Sequence, residues 1–481
     1  MHQNLLKKSK TETGDTPLFE PHPVPKDPYN IVFISFFLFG IGAWMAWNSA
    51  LAGLDYFSSR FEPKRAPSFM FGFVYFFFSL MGSVILIFIS MFTSLNHRVF
   101  VSIISISVLT FSLPFITENL NPDIAWYLVL SCFALTGVFN AFILGDITGY
   151  SSMFPDSYLT IMFVGQGISG LVLNAIKVVM IIILPPDIKE GPNDMNVFYN
   201  SVVFLTIGLI LFLSNLVLFQ IIKGFEFTKY YSTLASPEED EDTTSNRNTC
   251  HNISEGAHGM IFNRKSTYRQ TAYVKQDFSG FSSLNSKEIN EEIKDVTEEK
   301  EMSQWEALKK TSYIGIQLVL TFIITFGLYP GTLVSTYFDF LEGTGSRRAW
   351  FNIIMITLYA GSCTLGRISV SWIRPFGPKT IIFASTSRLI FFATSILIQL
   401  GESPIFLFKA DWFKVLNVVL FSFTSGHISA CLIGYAPAQV SNINKPKVGK
   451  LMNFMILAGS VIGTTISAFG LSKLPQFQID V

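Results

Sequence analysis

Charge is scarce in this chain: Asp, Glu, Lys and Arg make up only 14% of its 481 residues, and 34 basic side chains cancel 34 acidic ones. So even and so thin a balance leaves no basic footprint for nucleic acid and no global field for a charged partner, and no nucleic acid polymer is expected to bind. Cysteine is also sparse. Cys132, Cys250, Cys363 and Cys431 are scattered, three in apolar stretches and one in a polar loop, with no CxxC pair and no Cys/His cluster. That excludes a disulfide framework and a zinc site. No GxxxxGK[ST] occurs, so there is no P-loop for ATP, and the sequence calls for no cofactor and no metal. The apolar stretches lack the period-two alternation of barrel strands.

What the chain has in abundance is hydrophobic length. Half of its residues are apolar and 49 are phenylalanine. Stretches near the ~20 residues needed to cross a bilayer recur about eleven times, which predicts an all-α membrane protein with lipid as the solvent for most of its surface. The expected spans are 30–52, 68–93, 98–117, 124–150, 157–184, 196–222, 311–337, 349–373, 378–400, 411–437 and 448–472. Residues 1–29 are a polar, proline-dotted tail, so the first span is expected to serve as its own insertion signal. Residues 223–310, with the acidic run Glu238 to Asp242, are too polar to build a core and read as a mostly disordered linker between six spans and five, with an amphipathic helix possible from Lys287 to Lys310. Residues 473–481 form the other tail.

Lys and Arg in the short flanks set orientation. With the N-terminus in the cytosol, the inner side collects the larger share, including Lys7, Lys8, Arg98, Lys223, Lys309, Lys310, Arg374, Lys445, Lys447 and Lys450. The linker is then cytosolic and the C-terminus faces outward. Plasma membrane is the base expectation. Tyr231-Ser232-Thr233-Leu234 fits a tyrosine-based sorting signal and keeps endolysosomal membranes open.

Several blocks resemble the equilibrative nucleoside transporter family. These are Trp47-Asn48 with Leu54, Tyr56-Phe57 and Arg60-Phe61; Gly145, Gly149, Phe154-Pro155 and Tyr158; Gly165-Gln166-Gly167 with Gly170; Tyr329-Pro330; Gly366-Arg367; Arg388; and Ser425-Gly426 with Pro437. The resemblance covers nearly all of the membrane part and implies a major-facilitator-like pair of helical bundles, with the substrate between them near the midplane. It also implies a small-molecule substrate, a nucleoside or nucleobase; with the polar and helical-spacing readings below, the expected contacts are Trp47, Asn48, Leu51, Leu144, Asp146, Gln166 (or a cross-link between helices), Tyr329, Cys363 and Arg367. Three positions depart from the family: Leu144 stands for its glutamine, Ala360 for its asparagine and Cys363 for its aspartate.

Ionisable side chains at bilayer depth are costly unless paired or wetted, so each is a candidate for function. Arg367 cannot shed its charge, and Asp146 is expected to share its cavity as counter-charge or to form a structural ion pair with it. Arg98, at the start of the third span, reads as an interfacial anchor rather than a gate. Lys177 is expected to snorkel outward. Arg388 reads equally as a carbonyl binder inside a bundle or as a functional group. His427 could carry a proton but reads better as a satisfied hydrogen-bond partner. Trp47 could stack on a ring in the cavity or sit in the aromatic belt, with Trp44 and Leu51 extending its wall at helical spacing. Gly165 to Gly170 fits a dinucleotide fingerprint, but no βα unit surrounds it; close helix packing is the better reading. Pro330 is expected to break the seventh helix.

The leading expectation is a facilitative carrier for nucleosides or nucleobases. Alternatives are a carrier of small organic cations drawn by Asp146, another polar-solute carrier, or a non-transporting receptor or scaffold. An intramembrane enzyme would need clustered catalytic groups, and Asp146 is the one carboxylate at depth.

Overall fold

In lipid the backbone must satisfy its own hydrogen bonds, so long apolar runs become helices. The computed structural model describes residues 25–61, 65–185, 195–235, 302–334, 336, 347–400 and 406–473, and every regular element among them is helical. The first crossing is built from α1 (Ile31–Ala43), α2 (Met45–Ala52) and α3 (Leu54–Phe61), with a 46° bend between α1 and α2. α4 (Pro67–Ile89), α5 (Leu95–Asn119), α6 (Pro122–Ser151), α7 (Asp156–Ile183) and α8 (Met195–Ile222) complete the first half, and α9 (Glu226–Ala235) follows it. The second half holds α10 (Gln304–Leu328), α11 (Gly331–Val334), α12 (Arg347–Ser369), α13 (Ile381–Ser387), α14 (Ile390–Leu400), α15 (Phe406–Lys409), α16 (Asp411–Tyr435) and α17 (Lys445–Phe469).

Local chemistry explains where the helices begin. Pro67 and Pro122 occupy first helical positions, where the missing N–H costs nothing. The Asn121 side chain accepts from the Asp123 amide at 3.0 Å. Ser303 and Glu306 form a reciprocal capping box at 2.8 and 3.2 Å, which starts the seventh span seven residues before its expected onset at 311.

Nine helical segments among the described residues are long and apolar enough to cross a bilayer, and the bent α1–α2 pair makes ten. The expected span at 349–373 corresponds to α12, whose apolar portion, Ile353–Ser369, is shorter than a full crossing. The count of eleven is therefore not reached on length and composition. Two further crossings are interrupted among the described residues. Tyr329-Pro330, a cis peptide, separates α10 from α11 as the proline requires, and the ninth span parts into α13 and α14 around Arg388 and Leu389.

Within the expected linker 223–310, α9 occupies 226–235 and the described chain resumes at 302. Most of the amphipathic helix considered for 287–310, and the acidic run, lie outside the described residues. Tyr231 is not presented as an extended sorting signal. It is helical, and its ring packs 5.5 Å from Phe154 and 5.0 Å from Phe227.

The helices pair by the same scheme twice. In the first half α1 lies along α7 and α4 along α6; in the second α10 lies along α17 and α12 along α16. The halves meet where α17 lies against α4 and α6, and where α12 lies against α7. This is the two-bundle arrangement expected from the sequence. Within each bundle, glycines bring backbones together. A Cβ on Gly40 of α1 would collide with the Met162 carbonyl of α7, and one on Gly165 with the Phe37 carbonyl, so the Gly165 block is a packing surface. Likewise Gly366 meets the Phe423 carbonyl and Gly426 the Cys363 carbonyl. The outer faces of α4, α7 and α8 carry exposed Phe88, Ile182 and Ile210, as lipid contact demands.

Because Gly426 is backed by a carbonyl and Gly434 on the same helix has nothing near its absent Cβ, Gly426→Ala should lose roughly 1–3 kcal/mol of stability while Gly434→Ala changes little. Thermal unfolding of the two purified variants in one detergent checks this.

Candidate solute-binding cavity

A cavity of about 50 Å³ opens at the boundary of the bundles, where the α1–α2 junction, α2 and α7 of the first face α10, α12 and α16 of the second. Trp47, Asn48, Gln166, Tyr329, Cys363 and Arg367, expected from the sequence to contact substrate, all line it, as do Trp44 and Ala360. Leu51, Leu144 and Asp146 do not. The two leucines are buried in the apolar core, and Asp146 is engaged elsewhere.

Arg367 stands in the last turn of α12, where the carbonyl end of the helix favours a cation. Its Nη1 donates across the bundle boundary to the Phe163 carbonyl of α7, and its Nε has no partner. Trp47 is 2% exposed, with its ring 4.9 Å from Phe76 and 5.2 Å from Tyr75, so it belongs to the interior and not to an interfacial belt. Trp44 stacks on Phe326 at 6.3 Å, and Phe76 meets Phe326 at 4.3 Å, so one aromatic group joins α1, α4 and α10 across the boundary. Tyr329 stacks face to face on Tyr359 at 3.7 Å and 7°.

The expectation that Asp146 and Arg367 share a cavity is corrected. Asp146 is 1% exposed and takes both oxygens to Arg98, with Nε to Oδ2 at 2.7 Å and Nη2 to Oδ1 at 2.8 Å. Arg98 reaches it from α5 in the same bundle, and a carboxylate this deeply buried is held by the nearest bidentate cation. Lys450 of α17 adds a third charge, its Nζ 3.9 Å from Oδ1 across the bundle boundary. Arg98 is accordingly not an interfacial anchor: it is 7% exposed, paired, and also donates to the Thr93 carbonyl. With Asp146 neutralised away from the cavity, the organic-cation reading loses the group on which it rested.

Lys177 does not snorkel. It is 1% exposed, 3.2 Å from Asp55 of α3 and 4.9 Å above the Phe204 ring, so an available carboxylate replaces the route to water. Arg388 is a carbonyl binder inside the second bundle, donating to Thr321 O at 2.8 Å, Thr325 Oγ1 at 3.1 Å and Phe421 O at 3.4 Å. Thr325 in turn bonds Ser425 at 2.8 Å, and both line the cavity, so Arg388 positions that wall from behind. His427 shares a 2.7 Å hydrogen bond with Ser369, the satisfied arrangement. Pro330 shapes the bend beside the Tyr329 ring.

Thr325, Tyr359 and Phe326 are lining residues the sequence reading missed. For Tyr359 a signal existed: it lies four residues before Cys363 and eight before Arg367, on one helix face.

Two helical bundles that enclose a largely apolar, aromatic-walled cavity with a guanidinium on its rim define a polytopic solute carrier. Residues 130–470 match the family described as nucleoside transporter, and the chain belongs to that family. Equilibrative nucleotide transporter 4 of Arabidopsis thaliana is 22% identical over 89% of this chain and 91% of its own length. Equilibrative nucleoside transporter 1 of Homo sapiens is 21% identical over 92% of this chain and 97% of its own. The proton:xylose symporter XylE superposes with a TM-score of 0.49 at 11% identity, over 92% of this chain and 87% of XylE.

Removing the Asp146 carboxylate should leave Arg98 buried without its counter-charge. Asp146→Ala is expected to cost about 3–5 kcal/mol, and the double replacement of Asp146 by Leu and Arg98 by Met less than Asp146→Ala alone. Thermal unfolding of the two variants and the unmodified protein in one detergent measures both.

Proposed function

We propose that the protein is a facilitative carrier of nucleosides or nucleobases, and not an enzyme, working by alternating access between its two bundles. The observation that carries this reading is Arg367, a fixed cation on an inter-bundle cavity in a chain of the nucleoside transporter family. The names of the relatives point the same way. Trp47, Asn48, Gln166, Tyr329, Cys363 and Arg367 are the proposed substrate contacts: aromatic faces for a planar ring, and amide, guanidinium and thiol groups for its polar edges.

The size of the cavity supports motion. About 50 Å³ holds a few waters but no nucleoside. A solute therefore enters only when the bundles part, and the contacts that cross the boundary, Arg367 to Phe163 and Lys450 to Asp146 among them, are the ones that motion must exchange. Nothing in this cycle requires ATP, since the chain has no P-loop. The Lys/Arg distribution supports a cytosolic N-terminus, and we place the protein in the plasma membrane, with endolysosomal membranes as the alternative address.

Uptake of radiolabelled adenosine, uridine and their bases into cells lacking nucleoside transport tests the reading. Saturable uptake that survives ATP depletion is expected, and Arg367→Gln should lower it about tenfold, the equivalent of ~1.4 kcal/mol, at equal surface expression. Uptake no greater than in vector controls for every nucleoside and base would overturn it.

A further inference from the structure

Helix α9 follows the last crossing of the first half after the turn at Gly224, and its aromatic residues are bedded on that half. The Phe227 ring lies 5.9 Å from Phe154 and 5.4 Å from Tyr158, where α6 passes into α7, and Tyr231 lies 5.5 Å from Phe154. Ser232 hydrogen-bonds the Tyr150 phenol of α6. Phe227 is buried, as is Thr228 beside it. By these contacts α9 belongs to the first bundle.

It also lies against the second. The single turn Asn442–Asn444, which leads into α17, packs on α9. Asn444 is buried, and its side chain fixes that turn: Nδ2 donates to Ser441 Oγ at 2.8 Å, and Oδ1 accepts from the Met302 amide at 2.9 Å. Lys447 donates to the Met302 carbonyl at 3.0 Å. The chain that joins the halves thus leaves from α9 and returns at Met302 beside one and the same turn. The boundary is shut at this end. Gly149 of α6 packs against Lys450 and Pro446, Gly449 of α17 against Thr148 and Ser152, and Lys450 reaches toward Asp146 from the same stretch of α17.

A contact made in only one of two forms favours that form by its own worth. The bed of α9 is aromatic and buried, whereas its contact with the Asn442–Asn444 turn is short. When the bundles part here, α9 therefore keeps its bed and leaves the turn.

We propose that α9 is a clasp: it holds the boundary closed at the end where α17 begins, and loosening it shifts the molecule toward the form open at that end. The inference rests on the alternating-access reading above and adds to it a control element that touches no solute.

Cys363 reports the motion. It lines the cavity and is 5% exposed, so a maleimide reaches it only when the boundary opens. The full-length protein is treated with a membrane-impermeant maleimide from each face in turn, on intact cells and on inverted vesicles, and labelling is resolved residue by residue by mass spectrometry. Tyr231→Ala, which thins the bed, and independently Asn444→Ala, which loosens the turn, should raise the rate at Cys363 from the α9 face by about tenfold and lower it from the opposite face. Tyr231→Phe keeps the ring and should leave both rates as they are. Unchanged rates in both alanine variants overturn the proposal, and so does faster labelling from the opposite face. Loss of the cooperative thermal transition in both would make α9 part of the core and not a clasp, which also overturns it. No solute enters this assay, so unchanged labelling leaves the nucleoside reading in place, and absent uptake leaves the clasp in place.

Discussion

Hydrocarbon offers no hydrogen bonds, and the arrangement of this molecule follows from where its few embedded charges find oxygen. Arg98 and Asp146 satisfy each other inside the first bundle, and Lys177 pairs with one oxygen of Asp55 nearer its opposite end. Arg388 is held by carbonyl and hydroxyl oxygens inside the second bundle. Each of these ties helices of one bundle together. Arg367 differs in its place: it stands at the boundary and donates to a carbonyl of the other bundle. A charge satisfied internally makes a bundle rigid, and a charge satisfied across the boundary has to be satisfied again after every rearrangement.

The packing divides along the same line. Inside the bundles, glycines at Gly40, Gly165, Gly366 and Gly426 seat one backbone against a carbonyl of its neighbour. Such contacts tolerate neither rotation nor the insertion of a methyl group. Between the bundles the meeting groups are largely side chains: Lys450 and Asp146, Thr364 against Gly167, and the Trp44–Phe326 stack. Two stiff bodies with a side-chain seam are what rocking motion needs.

Much of this was legible in the sequence, for physical reasons. Span length, the absence of alternation and the break at Pro330 depend on properties of a single helix, so the all-helical architecture could be read directly. Trp47, Asn48, Gln166, Cys363 and Arg367 were legible as a set because motif resemblance and polar character at depth coincide there. What failed was pairing. A sequence shows that Asp146, Lys177 and Arg98 need partners but not which helix supplies them. The readings that put Asp146 beside Arg367, let Lys177 reach water and left Arg98 at an interface all assumed the wrong neighbour. Helix α9 was missed because ten residues of mixed polarity earn their order from the aromatic rings beneath them, Phe154 and Tyr158 among them, and not from their own propensity.

The two ends of the boundary are closed by different physics. Where α1 begins, the halves touch through Lys450 and a carboxylate 3.9 Å away, and that ammonium is 33% exposed. Toward the other end they touch through the rings of Phe73 of α4 and Phe469 of α17, 5.2 Å apart. Dissolved salt weakens the first contact by screening, whereas the second weakens as apolar hydration becomes less unfavourable on cooling. Ionic strength and temperature should therefore pull the balance between inward- and outward-facing forms in separable ways, so one molecule has two independent handles on a single equilibrium.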